Sequence, residues 1–229
     1  GLPPIQAIQN LQAGDKVLVL GDGQVSTSRG MGKVARAFFG WKTGSPDNVK
    51  IVPFSSEGTA EILGNPGRWR DYIKNEKPKV VLVSVGGTNN EDARKLAMEI
   101  KQELAGHGGV LVWSGAPPVA ANGRKRNWRP DSPFGGTTLW EWRRRQNVQM
   151  FGGTDFDGKT YPDTADMSRY VKDVVDIAIN PYEIPGYTTP YTCLSRCDGL
   201  YLETMDAFNF LKAHGVITDN FSIGGNPTP

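Results

Sequence analysis

Three short blocks of polar residues and glycines could carry chemistry in this chain. They are Gly21-Asp22-Gly23, Gly87-Thr88-Asn89-Asn90 and Asp198-Gly199-Leu200-Tyr201-Leu202. The first two follow apolar runs typical of buried parallel strands, and in open α/β sheets the functional crevice lies outside the carboxyl ends of the strands. Ser26 and Ser28 follow the first block in the same loop. A serine hydroxyl beside a base can attack an acyl group, so acyl transfer is the chemistry to consider.

In their order along the chain, the blocks resemble the motifs of the SGNH (GDSL-like) hydrolase superfamily. That family carries GDS near its amino end, then a lone glycine, then GxND, and DxxH near its carboxyl end. The resemblance covers residues 16–217, nearly the whole chain. It implies that Gly58 supplies a backbone N–H to an oxyanion hole, that the Asn89 side chain completes the hole, and that Asp198 matches the acid that orients a catalytic histidine.

The two residues that perform the family's chemistry are replaced. Gly23 stands at the position of the nucleophilic serine, and Tyr201 stands at the position of the histidine. Glycine has no side chain to attack with, and the pKa of an unperturbed tyrosine, about 10, suits a base near neutral pH poorly. Triad members act as a unit, so this double replacement predicts a catalytically degenerate site.

In the alternative interpretation, the domain is still an active hydrolase. Ser26 or Ser28 could act as a displaced nucleophile, or both could be ordinary loop or helix N-cap serines. The general base would still be lacking, because His107 is predicted at the amino edge of the sheet and His214 lies beyond Tyr201 at the end of the last helix. Asp22 is interpreted as a hydrogen-bonding anchor for the loop.

A basic and aromatic segment spans residues 124–145. Its residues of interest are Arg126, Trp128, Arg129, Trp140 and Trp142. Tryptophans beside arginines suit stacking on sugars, acidic glycans or a protein interface, and single-stranded nucleic acid uses the same residue types. Trp140 and Trp142 could equally be core residues of a helix whose arginines are solvated. We predict that the segment forms a rim for a saccharide or for a protein assembly partner.

The predicted elements alternate between strand and helix. Strands are predicted at 17–20, 48–54, 79–85, 109–113 and 147–151, and helices at 33–39, 68–76, 91–104, 138–145, 166–179 and 204–213. This alternation predicts a mostly parallel sheet covered on both faces. The predicted fold is a single three-layer α/β/α sandwich with a five-stranded sheet. It comprises an N-terminal arm over 1–15, the domain over 16–217 and a C-terminal tail over 218–229.

Composition narrows the remaining functions. The 26 basic and 24 acidic residues nearly balance, so charge favours neither a nucleic-acid nor a membrane partner. No apolar run approaches the roughly 18 residues of a membrane span, and no signal peptide is visible in the given chain. Cys193 and Cys197 could form a local disulfide or remain free thiols, so the compartment stays open.

Metal-ligand spacings and phosphate-binding glycine loops do not occur, so no metal and no cofactor are predicted. We therefore expect a degenerate SGNH-like domain that acts as a carbohydrate-binding or assembly module. The alternative is an active carbohydrate esterase or deacetylase that uses Ser26 or Ser28.

Overall fold

The fold is taken from a computed structural model that describes residues 2–54, 58–86, 90–116, 139–155, 157–183, 204–218 and 220–223. For residues 139–142 only the backbone is described. The α-helices are α1 (Pro4–Gln9), α2 (Gly30–Thr43), α3 (Thr59–Gly64), α4 (Arg70–Glu76), α5 (Ala93–Ala105), α6 (Leu139–Phe151) and α7 (Thr204–Ala213). The strands are β1 (Val17–Gly21), β2 (Val49–Pro53), β3 (Val80–Ser84), β4 (Val110–Ser114), β5 (Gly153–Thr154), β6 (Thr160–Tyr161) and β7 (Ile177–Ile179).

A five-stranded sheet in the order β2-β1-β3-β4-β7 forms the centre of the molecule. Every neighbouring pair is parallel, and Val17 of β1 lies in register with Val49 of β2 and Val80 of β3. The predicted α/β/α sandwich with a five-stranded parallel sheet is confirmed. The chain leaves β1 in one direction along the sheet and continues from β3 in the other. The carboxyl ends of the neighbouring strands β1 and β3 therefore mark the switch point, outside which such sheets bind ligands.

Both faces of the sheet are buried, because successive side chains along each strand point to opposite sides. Val17 and Val19 pack under α2 and α7, whereas Leu18 and Leu20 pack under α3, α4 and α5. This arrangement explains the continuous apolar runs that made β1, β3 and β4 visible in the sequence. Ile8 of α1 belongs to the first of these two cores, so part of the predicted N-terminal arm packs with the domain.

Two predicted elements are wrong. Residues 147–151 are the last turns of α6 and not a strand, and Val148, Met150 and Phe151 are buried from that helix. A short apolar run does not distinguish a buried strand from a buried helix. The predicted helix over 166–179 is instead a series of turns that ends in β7, the true fifth strand. Tertiary bonds override its helical spacing: the Asp176 carboxylate accepts from Leu111 N at 2.7 Å and from Lys101 Nζ at 2.8 Å.

Helix α2 continues beyond Gly40, where the sequence predicted its end. It stops at Gly44, whose φ of 90° is left-handed and favours glycine. Gly40 is needed for close approach, since a Cβ there would lie 3.0 Å from the Cα of Pro46. None of the helices in the described ranges is long and apolar enough to span a membrane.

Candidate functional site

The loop after β1 is anchored by a buried carboxylate. Asp22 Oδ1 accepts from Gln24 N at 3.0 Å, and Asp22 Oδ2 accepts from Gly86 N at 2.8 Å. Gly86 lies just beyond β3, so this side chain joins the two strand ends that border the switch point. The interpretation of Asp22 as a loop anchor is confirmed.

Glycines allow the strand ends to lie unusually close together. A Cβ on Gly21 would overlap the Ser84 carbonyl oxygen and would lie 2.8 Å from Val25 Cγ1. A Cβ on Gly86 would lie 2.8 Å from Ala116 Cβ, which brings the loop after β4 to the same place. The carboxyl ends of β1, β3 and β4 therefore meet as one close-packed surface.

Replacing Asp22 by asparagine should destabilise the protein. The amide has one acceptor oxygen, so its NH₂ group would face a backbone N–H that now donates to a carboxylate. A buried donor left without an acceptor costs about 1–3 kcal/mol. Urea denaturation should show this loss for Asp22→Asn. Asp47→Asn, at an exposed aspartate, is the matched control and should change stability by less than about 0.5 kcal/mol. Equal midpoints for the two variants would show that the anchor is not needed.

Five buried amide side chains lie in the segments that follow β1, β3 and β7 and in α6. This amide layer consists of Gln24, Asn90, Gln146, Asn147 and Asn180. Asn90 Nδ2 donates to Gln146 Oε1 at 2.9 Å, which links the loop after β3 to α6. Asn147 Nδ2 donates to the Ala116 carbonyl oxygen at 2.9 Å, and Asn180 Oδ1 accepts from Tyr182 N at 3.2 Å. The layer is neutral and rich in both donors and acceptors.

Most of this amide layer could not be predicted from the sequence. Gln146 and Asn147 bond to partners 56 and 31 residues away, and no local pattern reports such distances. The available signal was amide side chains next to the apolar residues Val148, Met150 and Phe151. It was lost because that stretch was assigned to a strand.

Gly23 follows the anchored Asp22 and is exposed. Ser26 is partly buried and Ser28 is exposed, and their hydroxyl oxygens lie 2.9 Å apart. Ser28 N also donates to Ser26 Oγ at 3.1 Å. The described hydrogen bonds of these two side chains stay within the loop, which is the pattern of loop-stabilising serines.

The two histidines lie elsewhere. His107 Nε2 is 2.8 Å from the Pro78 carbonyl oxygen, just before β3 and thus at the amino edge of the sheet. His214 Nδ1 is 2.8 Å from the Phe210 carbonyl oxygen at the end of α7. The start of α7 is near the β1 loop, where Thr204 Oγ1 accepts from Gly30 N at 3.1 Å. A ten-residue helix is about 15 Å long, so His214 is far from that loop.

Gly58 immediately precedes α3 on the carboxyl side of β2. It is buried, and its φ of 71° is one that glycine adopts most readily. Its place at the carboxyl edge is compatible with the predicted oxyanion-hole amide, and that role stays a prediction.

Several predicted site residues lie outside the described part of the chain: Asn89, Asp198, Tyr201, Arg126, Trp128 and Arg129. Cys193 and Cys197 lie outside it too. Trp140 and Trp142 are in α6 by their backbone, and their side chains are likewise outside the description. The predicted roles of all these residues stay predictions.

One tyrosine and two arginines set the electrostatics near the end of β7. Burial raises the pKa of Tyr182, and the positive charges of Arg143 and Arg144 oppose this rise in part. Tyr182 therefore stays protonated at neutral pH. Within the described ranges, no group of three or more His, Cys, Asp or Glu side chains is arranged to hold a metal ion.

Comparison with known proteins supports the fold. No protein-family model and no curated protein matches the chain. Among solved structures, the chain is similar to LAE5, an alpha/beta hydrolase enzyme from the metagenome of Lake Arreo, Spain. The two share 14% identity with a TM-score of 0.50, and the match covers 91% of this chain and 99% of the other. At this identity the likeness shows a hydrolase-like α/β fold.

Proposed function

We propose that this chain is a catalytically degenerate, SGNH-like domain whose crevice between β1 and β3 binds a saccharide. One observation carries the proposal: the exposed position after the Asp22 anchor, where the resembled family carries its nucleophile, is Gly23. The loop keeps an ordered, buried anchor, and the residue that would attack an acyl group has no side chain.

The surroundings of Ser26 and Ser28 also argue against hydrolysis. A nucleophilic serine needs a base within hydrogen-bond reach, about 2.6–3.2 Å. The partner of each hydroxyl in the described loop is the other serine, and the two histidines bond to backbone carbonyl groups on other parts of the molecule. Neither serine therefore has an activating partner among the described residues.

One atom of the amide layer supports a ligand with hydroxyl groups. Asn90 Oδ1, in the loop after β3, is buried without a hydrogen-bond partner in the described part of the chain, and a sugar hydroxyl would donate to it. The predicted rim of Arg126, Trp128 and Arg129 would add aromatic and cationic contacts to the edge of a sugar. A protein partner that binds residues 124–145 would use the same side chains. A role as an assembly module is therefore the second form of the proposed function.

An esterase assay tests the absence of hydrolysis. We expect the unmodified protein to hydrolyse p-nitrophenyl acetate at the background rate, because no described base activates a serine. Ser26→Ala and Ser28→Ala should leave that rate unchanged. Turnover well above background that either substitution abolishes would instead establish the alternative, a carbohydrate esterase or deacetylase with a displaced nucleophile.

A further inference from the structure

A small polar cavity lies beside α6, away from the carboxyl ends of β1 and β3. Its volume is about 60 Å³, and it is bounded by α6, by β6 and by the turns over residues 163–170. We call it the side pocket. A water molecule occupies about 30 Å³ in the liquid, so the side pocket has room for two water-sized groups.

Backbone hydrogen bonds hold the walls of the side pocket in place. Val171 N donates to the Met150 carbonyl oxygen of α6 at 2.8 Å. Arg94 N, in the first turn of α5, donates to the Ser168 carbonyl oxygen at 3.0 Å. Helix α5 begins on the carboxyl side of the sheet, so the side pocket is on the same side of the molecule as the crevice.

The charged groups around the side pocket are paired with one another. Lys159 Nζ lies 3.1 Å from Asp163 Oδ2, and Arg169 Nη1 lies 3.3 Å from Asp166 Oδ2. Arg169 also reaches Glu91 Oε1 at 3.4 Å. Two cations and two carboxylates line the cavity, so its lining carries no net charge to select an ion.

One amide group in the side pocket has an unused hydrogen-bonding atom. Gln149 Nε2 donates to the Tyr161 hydroxyl across a long 3.4 Å, and Gln149 Oε1 is buried without a partner in the described part of the chain. A buried acceptor left unsatisfied costs about 1–3 kcal/mol, so a group that donates to it would bind favourably. A hydroxyl both donates and accepts, and it therefore satisfies this amide in either orientation.

The geometry points to the side pocket as a binding site for two adjacent hydroxyl groups of a neutral saccharide. One hydroxyl would bond to Gln149, and its neighbour would donate to Asp163 and accept from Lys159. Tyr161 and Tyr170 also line the cavity. Lys159 Nζ lies over the Tyr161 ring at 5.3 Å from its centroid, so Tyr170 is the ring that offers aromatic surface to the C–H groups of a sugar. An ammonium ligand would be repelled by the positive charges of Lys159 and Arg169. An anion would be repelled by the carboxylates of Asp163 and Asp166. The inference rests on the proposed saccharide binding and adds to it a second contact site, away from β1 and β3.

The inference is tested by titrating the whole protein with saccharides and recording the NMR signals of its side-chain amides. The probes are the methyl glycosides of glucose, galactose and mannose, with ammonium acetate as the charged comparison. We expect at least one glycoside to shift the Gln149 side-chain amide saturably, with a Kd on the order of 1 mM, and ammonium acetate not to compete. Gln149→Met keeps the length of the side chain and should weaken binding at least about tenfold, since the bonded amide is lost. Gln102→Met, on α5 outside this pocket, is the matched control and should bind like the parent.

Any one of three results would contradict saccharide binding at the side pocket. They are the lack of a saturable shift at Gln149 with any glycoside, unchanged binding by Gln149→Met, and displacement of the glycoside by ammonium acetate. Tryptophan fluorescence separates this failure from failure of the proposed function. Quenching by a glycoside that Trp128→Ala abolishes, without a shift at Gln149, would place the saccharide in the crevice and refute the side pocket alone. Saturable shifts at Gln149 in a protein that hydrolyses esters would support the side pocket and refute the degenerate crevice.

Discussion

Replacing Gly21 by alanine is expected to lower the free energy of unfolding by about 3 kcal/mol or more, the upper range for overpacking of a core. The added methyl group would overlap the Ser84 carbonyl oxygen and press on Val25 Cγ1 at 2.8 Å. Ser84 is the register partner of Gly21 across the β1–β3 pair, and its carbonyl belongs to the backbone of a central strand. The strand cannot yield as a side chain would, so the sheet must distort at the switch point.

Gly64→Ala provides the matched control for this substitution. Gly64 lies in α3, and a Cβ there would meet nothing within 4 Å. Because alanine favours a helix over glycine by up to about 1 kcal/mol, this variant should be as stable as the parent or slightly more stable. Thermal or urea unfolding of the three proteins gives the comparison. Similar stability of Gly21→Ala and Gly64→Ala would show that β1 and β3 do not approach as closely as described.

The combined substitution of Gly23→Ser and Tyr201→His is expected to create ester hydrolysis. The first change places a hydroxyl at an exposed position beside the Asp22 anchor, and the second supplies a base that Asp198 can orient if the family resemblance holds. General base catalysis contributes about 10²–10⁴-fold, so turnover of p-nitrophenyl acetate should rise at least about 10²-fold above the unmodified protein. Each single substitution should stay near background, because nucleophile and base act as a unit.

The control for this experiment is Gly23→Ala with Tyr201→His, which has the base without the nucleophile. It should show no gain, and Ser26→Ala or Ser28→Ala added to the active variant should not remove the gain. A folded Gly23→Ser, Tyr201→His protein at background rate would contradict the assignment of these positions to the SGNH pattern. Activity that depends on Ser26 or Ser28 would contradict it as well.

The sheet could be predicted from the sequence wherever a strand is buried on both faces. The runs at β1, β3 and β4 are continuously apolar and end in glycine or serine. Strand β2 is partly exposed, and it was predicted from a short run followed by a polar loop. The fifth strand could not be predicted in this way, because β7 has three residues and depends on β4 and on the Asp176 bonds for its conformation.

The candidate site, like the sheet, could be predicted from the sequence only in part. The Asp22 anchor could be predicted because it is part of a compact Gly-Asp-Gly turn directly after a strand. The amide layer and the side pocket could not, since Asn90, Asn147 and Gln149 acquire their partners only after α6 and the turns that follow it are in place. The sequence around Asn147 and Gln149 indicated a strand, and this error in secondary structure hid their part of the site.

Asp22 and Gly23 are neighbours in the chain but differ in what they do for the fold. The fold depends on the carboxylate that joins the loop after β1 to Gly86, whereas the next residue is exposed and needs no side chain to hold the loop. A folded domain therefore needs the Asp22 carboxylate and the close approach at Gly21 and Gly86, whereas position 23 can change without loss of the loop. The residue at position 23 can thus decide what the loop does without affecting whether the domain folds.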